Sequence, residues 1–354
     1  MAKRLIGLDL LRFLAVVLVV AAHLAMIPSG PRWVGWFTRH GSLGVSLFFV
    51  LSGFLVAGLL FAEHRTRGSI SVGRFYTRRA WKIYPPFYLM LTFTYLYVRF
   101  GIGWKMPDSM IFREMLFIQN YCSAYWNHTW SLAVEEHFYI ALPLLLWAFQ
   151  RANRLAVNPF RFLPPLIAGV LVVEFVSRLI NFVCIPYGER THQFPTHLRL
   201  DGLFFGVLLA YLYHYRSFSP LRPWRYALIA VGSLVAATPP YICNGMDLYY
   251  NTLGFTQEYL GSGAVLTGVM LCEIPRTRIT GLLATLGSYS YSIYLWHMAA
   301  IFWVTPYIDA PWGVSAAYYL IAAFTLGIAA AWAWELPTLK IRDRYFPSML
   351  RKAA

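Results

Sequence analysis

A chain of 354 residues that is 58% hydrophobic and 18% aromatic but only 13% charged has too little polar surface for a soluble domain, so its composition places it among membrane proteins. The formal net charge of +15 does not mark a nucleic-acid binder, because the basic residues fall on alternate loops between long apolar runs. Nucleic acid is therefore excluded as a partner, membrane lipids are implied, and no oligomeric state is implied.

Ten apolar runs are each long enough to cross ~30 Å of hydrocarbon as a helix. They lie at about 8–27, 43–62, 83–98, 129–149, 162–182, 198–214, 226–243, 257–273, 282–304 and 313–334. The expected fold is all-α, a polytopic transmembrane helical bundle of about ten helices. The first run follows Met1-Ala2-Lys3-Arg4 and is succeeded by Pro28, Pro31 and Trp33 in place of a small-residue cleavage site, so it reads as a retained signal anchor. With the N-terminus inside, 21 of the 30 Lys and Arg lie on that side, among them Lys3, Arg4, Arg65 to Lys82, and Lys340 to Lys352. Six fall in outer loops (Arg32, Arg39, Arg99, Lys105, Arg113, Arg190) and three within spans. That asymmetry predicts both termini cytoplasmic and an even number of crossings. A bacterial inner membrane is the expected location.

Residues 1–354 read as a single integral membrane domain, with no low-complexity stretch and no Gly/Ser linker. The longest outer connection, 99–128, carries an amphipathic piece, Met110 to Asn120, expected at the membrane interface. Cys122, Cys184, Cys243 and Cys272 lack metal-binding spacing, and no metal is expected. The first three lie near the outer face, where a disulfide is geometrically open to them, but they are read as small apolar residues.

An ionisable residue inside a span costs at least ~2.5 kcal/mol on insertion scales, which makes each one a functional candidate. Arg12 and His23 share a face of the first span, ~16 Å apart along its axis. Snorkelling to the inner headgroups is one reading of Arg12, and a core histidine bonded to a carbonyl is one reading of His23. Imidazole is also the commonest general base near neutral pH. On the fourth span Thr129-Trp130-Ser131 leads into Glu135-Glu136-His137, with the carboxylates ~9 Å deep. Adjacent helical residues diverge by about 100°, so one glutamate is expected to face a cavity and the other to pair elsewhere. His23 and one glutamate at similar depth would make a base and its orienter. Arg178, Arg199 and Asp201 are candidates with a structural ion pair as the even alternative, and His297 and Glu335 suit either packing or helix-end chemistry.

Arg74, Arg78, Arg79 and Lys82 precede Pro85-Pro86 on the inner side. They suit a topogenic anchor. Their i, i+3 and i, i+4 spacings would also give a compact cationic face suited to phosphates.

Together these residues carry a resemblance. The chain resembles the membrane acyltransferase-3 family of multi-pass O-acyltransferases. The matching stretches, in order, are Gly7-Leu8-Asp9 with Arg12, ten residues and His23; Gly44 to Phe54; Phe75 to Arg79 with Tyr84-Pro85; Trp130 to Tyr139; Arg199 to Gly206; Leu286-Gly287 to His297; and Glu335-Leu336-Pro337. Ser46 stands where many members carry aspartate, Lys82 where the family has arginine, and His137 where glutamine is common. The resemblance implies that His23 is the catalytic base or acyl relay, with Glu135 as its carboxylate partner and Glu136 beside it. It places Arg12, Arg78, Arg79 and Lys82 on the side of acyl-CoA, taken as acetyl-CoA, the implied co-substrate. Trp130, Ser131, Arg199, Asp201 and His297 are the candidate substrate contacts. The implied activity is transfer of the acyl group to a hydroxyl of a glycan, lipid or metabolite outside the cytoplasm. Direct attack and a transient acyl-histidine are both open. The rival class is a transporter or flippase, to which buried charges and basic inner loops are also suited. No inverted repeat or pair of broken helices supports it.

Overall fold

The computed structural model describes residues 6–103, 107–239, 246–308 and 310–347. Lys3, Arg4, Lys105, Cys243, Arg351 and Lys352, which enter the charge and cysteine readings, lie outside them, as does the side chain of Arg39. Among the described residues every regular element is helical.

Helix α1, Ile6–Ala22, is apolar on almost every face, as a helix must be when protein and lipid surround it. It tightens into a single turn at His23–Met26 before Pro28 and Pro31. Helix α2, Val34–Arg67, continues well beyond the apolar run read from sequence. It stops at Gly68, whose φ of 71° lets its amide bond back to the His64 carbonyl, with His64, Arg65 and Arg67 in the negative-ended last turn. Helix α3, Val72–Leu96, runs unbroken through Pro85 and Pro86, so the basic cluster and the expected third span are one element. Then come α4 (Asp108–Met115), α5 (Trp130–Ala152), α6 (Leu163–Cys184), the single turn α7 (Glu189–His192), α8 (Asp201–Tyr215) and α9 (Arg225–Ala237). The last group is α10 (Phe255–Leu271), α11 (Arg278–Ser288), α12 (Ser290–Ala299), α13 (Trp312–Ala330) and α14 (Leu336–Tyr345).

Five stretches are long and apolar enough to cross a membrane: Ile6–Met26, Val34–Arg67, Asn127–Ala152, Leu163–Cys184 and Trp312–Tyr345. The chain is an integral membrane protein of helical class. The expected run at 282–304 is instead two helices that meet at Tyr289. Glu335 does not end the helix: it closes a wide π-type turn, Ala331–Glu335, and Pro337 lies in the first turn of α14, which continues to Tyr345. Glu335 accepts a hydrogen bond there from Ser292 Oγ (2.6 Å).

Close backbone contact holds the bundle around α2. A Cβ on Gly53 would lie 1.9 Å from the Leu203 carbonyl oxygen, and one on Gly206 would lie 2.3 Å from that of Val50, so α2 and α8 cross where neither has a side chain. Helix α6 is peripheral, and its Val173 and Val183 are 63% and 77% exposed, as lipid-facing residues would be.

Candidate active site

Three cavities follow one another through the bundle. The inner one, about 590 Å³, is lined by Arg12 of α1, Arg74, Arg78, Arg79 and Lys82 of α3, and Arg342 of α14, with Glu63 its one carboxylate. The four basic residues of α3 all line this cavity, but they are engaged differently. Arg78 pairs with Asp343 (3.1 Å) and donates to the Phe346 carbonyl, Arg74 donates to that of Pro347, and Arg79 and Lys82 turn inward. Successive helical side chains diverge by about 100°, which splits Arg78 from Arg79. Arg12 lies 3.3 Å from Asp9 and lines the cavity rather than the headgroup layer alone.

The central chamber, about 100 Å³, shares Arg12, Leu55, Val56, Arg79 and Lys82 with the inner cavity. The Arg79 guanidinium sits 3.7 Å over the Tyr139 ring. Both Glu135 and Glu136 line the chamber and lie in the field of Arg79, where one of them was expected to face a cavity and the other to pair elsewhere, but their hydrogen-bond partners do differ. Glu135 is bonded by Ser52 and Tyr139, whose hydroxyls also meet, and Glu136 by Tyr84. Glu136 Oε1 is buried without a partner. Ser131 Oγ and Tyr294 Oη are 2.6 Å apart on the chamber's far wall.

Val45 and Tyr294 join this chamber to the outer cavity, about 890 Å³, lined by His23, Tyr125, Trp126, His128, Trp130, Phe194, Arg199 and Tyr250 among others. Here His23 keeps company other than that expected. Among the described contacts none joins it to Glu135 or Glu136. Its ring meets that of His297 edge-on at 4.9 Å, and His297 meets His128 at 5.0 Å. Two further imidazoles occupy the surroundings assigned to a carboxylate, while Arg79 draws both glutamates toward the central chamber.

The backbone fixes the protons on these rings. A carbonyl only accepts, so His23 Nδ1 donates to Val19 O (2.8 Å), His297 Nδ1 to Tyr294 O (2.6 Å) and His128 Nε2 to Leu295 O (3.3 Å). The neutral His23 ring therefore keeps its lone pair on Nε2. His297 Nε2 and His128 Nδ1 are buried and without partners, two acceptor atoms in the same cluster as His23. Among the described residues no three His, Cys, Asp or Glu side chains are arranged to hold a metal ion. Cys122, Cys184 and Cys272 are free thiols.

Trp130 stacks on Phe194 (4.9 Å, 8° between planes), and Ser131 faces the central chamber. Asp201 is committed elsewhere: it pairs with Arg178, and Glu174 accepts the Leu200 and Asp201 amides beside it. Arg199 alone of the α8 candidates lines the outer cavity. His128, Tyr294, Glu258 and Tyr250 escaped the sequence reading. His128 precedes Thr129, where the apolar run was taken to begin, and an ionisable residue one step outside that window was the available signal.

The loop carrying Tyr125, Trp126 and His128 is pinned by Glu114 of α4. Fully buried, Glu114 accepts the Trp126 amide (2.6 Å), while the Trp126 indole donates to Thr94 Oγ1 (2.8 Å). Burial pushes the Glu114 carboxyl up to about 8 against the pull of the Trp126 and Tyr125 amides, and its Oε2 has no partner, as suits a protonated oxygen. The folded chain thus holds a proton that the unfolded chain releases near pH 4.5. This stabilisation is complete below that pH and is lost as pH rises through about 8. Wild-type Tm in detergent should therefore fall relative to Glu114→Gln as pH rises from about 5 to about 8. Parallel curves would refute the assignment.

The family model described as an acyltransferase domain matches residues 5–334. The peptidoglycan O-acetyltransferase OatA of Listeria monocytogenes is 26% identical over 332 residues, covering 86% of this chain and 50% of that protein. The O-acetyltransferase OatA of Staphylococcus aureus is 27% identical over 340 residues, covering 85% and 51%. The chain spans about half the length of the curated relatives it matches. No solved structure matches it. With nearly the whole chain covered by one family model and the residues of its motifs grouped along one line of cavities, the chain belongs to the membrane acyltransferase-3 family.

Proposed function

We propose that this chain is an O-acetyltransferase that takes an acetyl group from cytoplasmic acetyl-CoA and gives it to a hydroxyl of an extracytoplasmic acceptor, a cell-surface glycan or its lipid-linked precursor. The observation that carries the reading is that three neighbouring cavities share walls, from a basin of six basic side chains to a histidine whose lone pair lies on Nε2. Arg74, Arg78 and Arg342 suit the donor's phosphates, Arg12, Arg79 and Lys82 the passage, and His23 the reacting end. In the reading adopted here about ten spans place both termini in the cytoplasm, residues 1–354 act as one unit, and the membrane is the bacterial inner one.

His23 Nε2 accepts the proton of the acceptor hydroxyl as its oxygen attacks the thioester carbonyl. The C–S bond breaks, and the departing thiolate takes up the proton from His23. In the relay form Nε2 itself attacks the carbonyl and the C–S bond breaks to release the thiolate; the acceptor oxygen then attacks the acyl group, its bond to Nε2 breaks, and the hydroxyl proton ends on the thiolate. His128 lines the outer cavity, and its Nδ1 receives a hydrogen bond from a hydroxyl brought beside it, which positions the acceptor, while the fully buried His297 packs behind His23.

The test uses purified protein in liposomes with radiolabelled acetyl-CoA, longer acyl-CoAs and a hydroxyl acceptor extract. Label should pass from acetyl-CoA to the extract, and label held on the protein without acceptor would identify the relay. No donor binding, hydrolysis or transfer at any chain length would favour a transporter.

A further inference from the structure

Arg199 is a buried guanidinium with Asp201 and Glu258 in its field but in ion-pair contact with neither. It lies 3% exposed at the start of α8, lines the outer cavity, and makes no ion pair among the described residues. Its guanidinium carbon rests 3.9 Å over the Phe255 ring, with the Trp130 and Phe49 rings 5.5 and 5.7 Å away. Its one described hydrogen bond is a long one, 3.4 Å to Ser46 Oγ.

The nearby carboxylates are all engaged by other groups. Asp201 is held by Arg178 and by the Gly202 amide (2.8 Å). Glu258 accepts from Ser42 (2.7 Å), Ser46 (2.6 Å) and Tyr250 (3.4 Å). Glu174 accepts two backbone amides. Arg199 thus feels Asp201 and Glu258 only at longer range, and its hydrogen-bonded link to Glu258 runs through the Ser46 hydroxyl. A guanidinium has five donors in a planar fork that matches a carboxylate or phosphate, and a buried charge left without such a partner is costly. The aromatic walls hold it in place without consuming those donors. The same cavity offers the stacked Trp130–Phe194 pair and Tyr125, flat faces of the kind that pack against a sugar ring, and at about 890 Å³ it has room for one.

We infer that Arg199 is the anion-recognising element of the acceptor site, and that the acceptor is a sugar bearing a carboxylate or phosphate group as well as the hydroxyl presented to His23. This rests on the reading of the outer cavity as the acceptor site. It adds a charge requirement that neither the fold nor the relatives supply.

Three matched probes separate the possibilities: glucose, glucuronic acid and glucose 1-phosphate. Each is measured for equilibrium binding to the purified chain in nanodiscs and for acetyl transfer from acetyl-CoA. At least one anionic sugar should bind and react about tenfold or more better than glucose, and which one does so identifies the anion. Arg199→Gln should bring that ratio to about one, chiefly through KM. Arg199→Lys should keep part of the preference, more for phosphate than for carboxylate, because it lacks the fork. A wild-type ratio near one would overturn the inference. So would Arg199→Gln lowering Tm while leaving the ratio intact, which would make Arg199 a structural cation bridged to Glu258. Arg199-dependent binding of anions without transfer to any probe would leave the anion site standing and remove the acetyltransferase reading. Transfer without charge preference would do the reverse.

Discussion

Replacing His23 with alanine should lower kcat for acetyl transfer by about 10³-fold while leaving Tm and acetyl-CoA binding near wild type. General-base catalysis by a positioned imidazole contributes about 10² to 10⁴. The middle of that range and not its lower end is expected because the ring is prepared in advance: Nδ1 is committed to the Val19 carbonyl at 2.8 Å, so Nε2 needs no tautomer change before it takes a proton. The donor's phosphates would rest three turns away, among cations the substitution does not touch. Binding and chemistry should therefore separate. His23→Gln, which keeps polarity and much of the bulk, should be as inactive as alanine. Retention of more than about a tenth of wild-type kcat in either variant would remove His23 from the base position. Loss of donor binding together with kcat would mean that His23 shapes the passage instead.

The sequence showed clearly which groups were out of place in a membrane, and less clearly which of them meet. Arg12 and His23 lie on one helix, so their separation and shared face follow from helical rise alone, and the structure places them in the inner and outer cavities. Membership of one cluster by His23, His128 and His297 depends on three chain segments ending at the same depth, and no periodicity encodes that. Depth along two helices suggested one of Glu135 and Glu136 as the partner of His23, and the resemblance singled out Glu135; nothing in the sequence reveals that both glutamates lie in the field of Arg79, 56 positions before Glu135. Helix limits failed for a related reason. Hydropathy marks where a helix is apolar, whereas α2 and α3 continue through polar ends. At Ser46 the departure from the family pattern gains a physical account. The hydroxyl bridges Arg199 and Glu258, where an aspartate would pair with Arg199 outright and leave it less available to a ligand.

The second large effect concerns Arg79, because it is asked to do two things at once. In Arg79→Gln the chamber would retain Glu135 and Glu136 without the guanidinium that faces both, and removing one partner of a buried charge cluster costs about 3 to 5 kcal/mol. The variant should melt several degrees below wild type and transfer no measurable acetyl group. A loss of activity that came only from misfolding would be uninformative, so the double variant Arg79→Gln/Glu136→Gln decides the matter. Glu136 is the glutamate with an unpartnered buried oxygen, so neutralising it should recover part of the lost stability. It should not recover transfer, because the cation lining both the inner cavity and the central chamber is still missing. Arg79→Lys should fold nearly as well as wild type yet bind acetyl-CoA more weakly, since one ammonium cannot span two carboxylates and a passing phosphate or carbonyl as a planar fork does. Recovery of both stability and transfer in the double variant would show that Arg79 serves only to balance the two glutamates, and the route from the basic basin to His23 would then run without it.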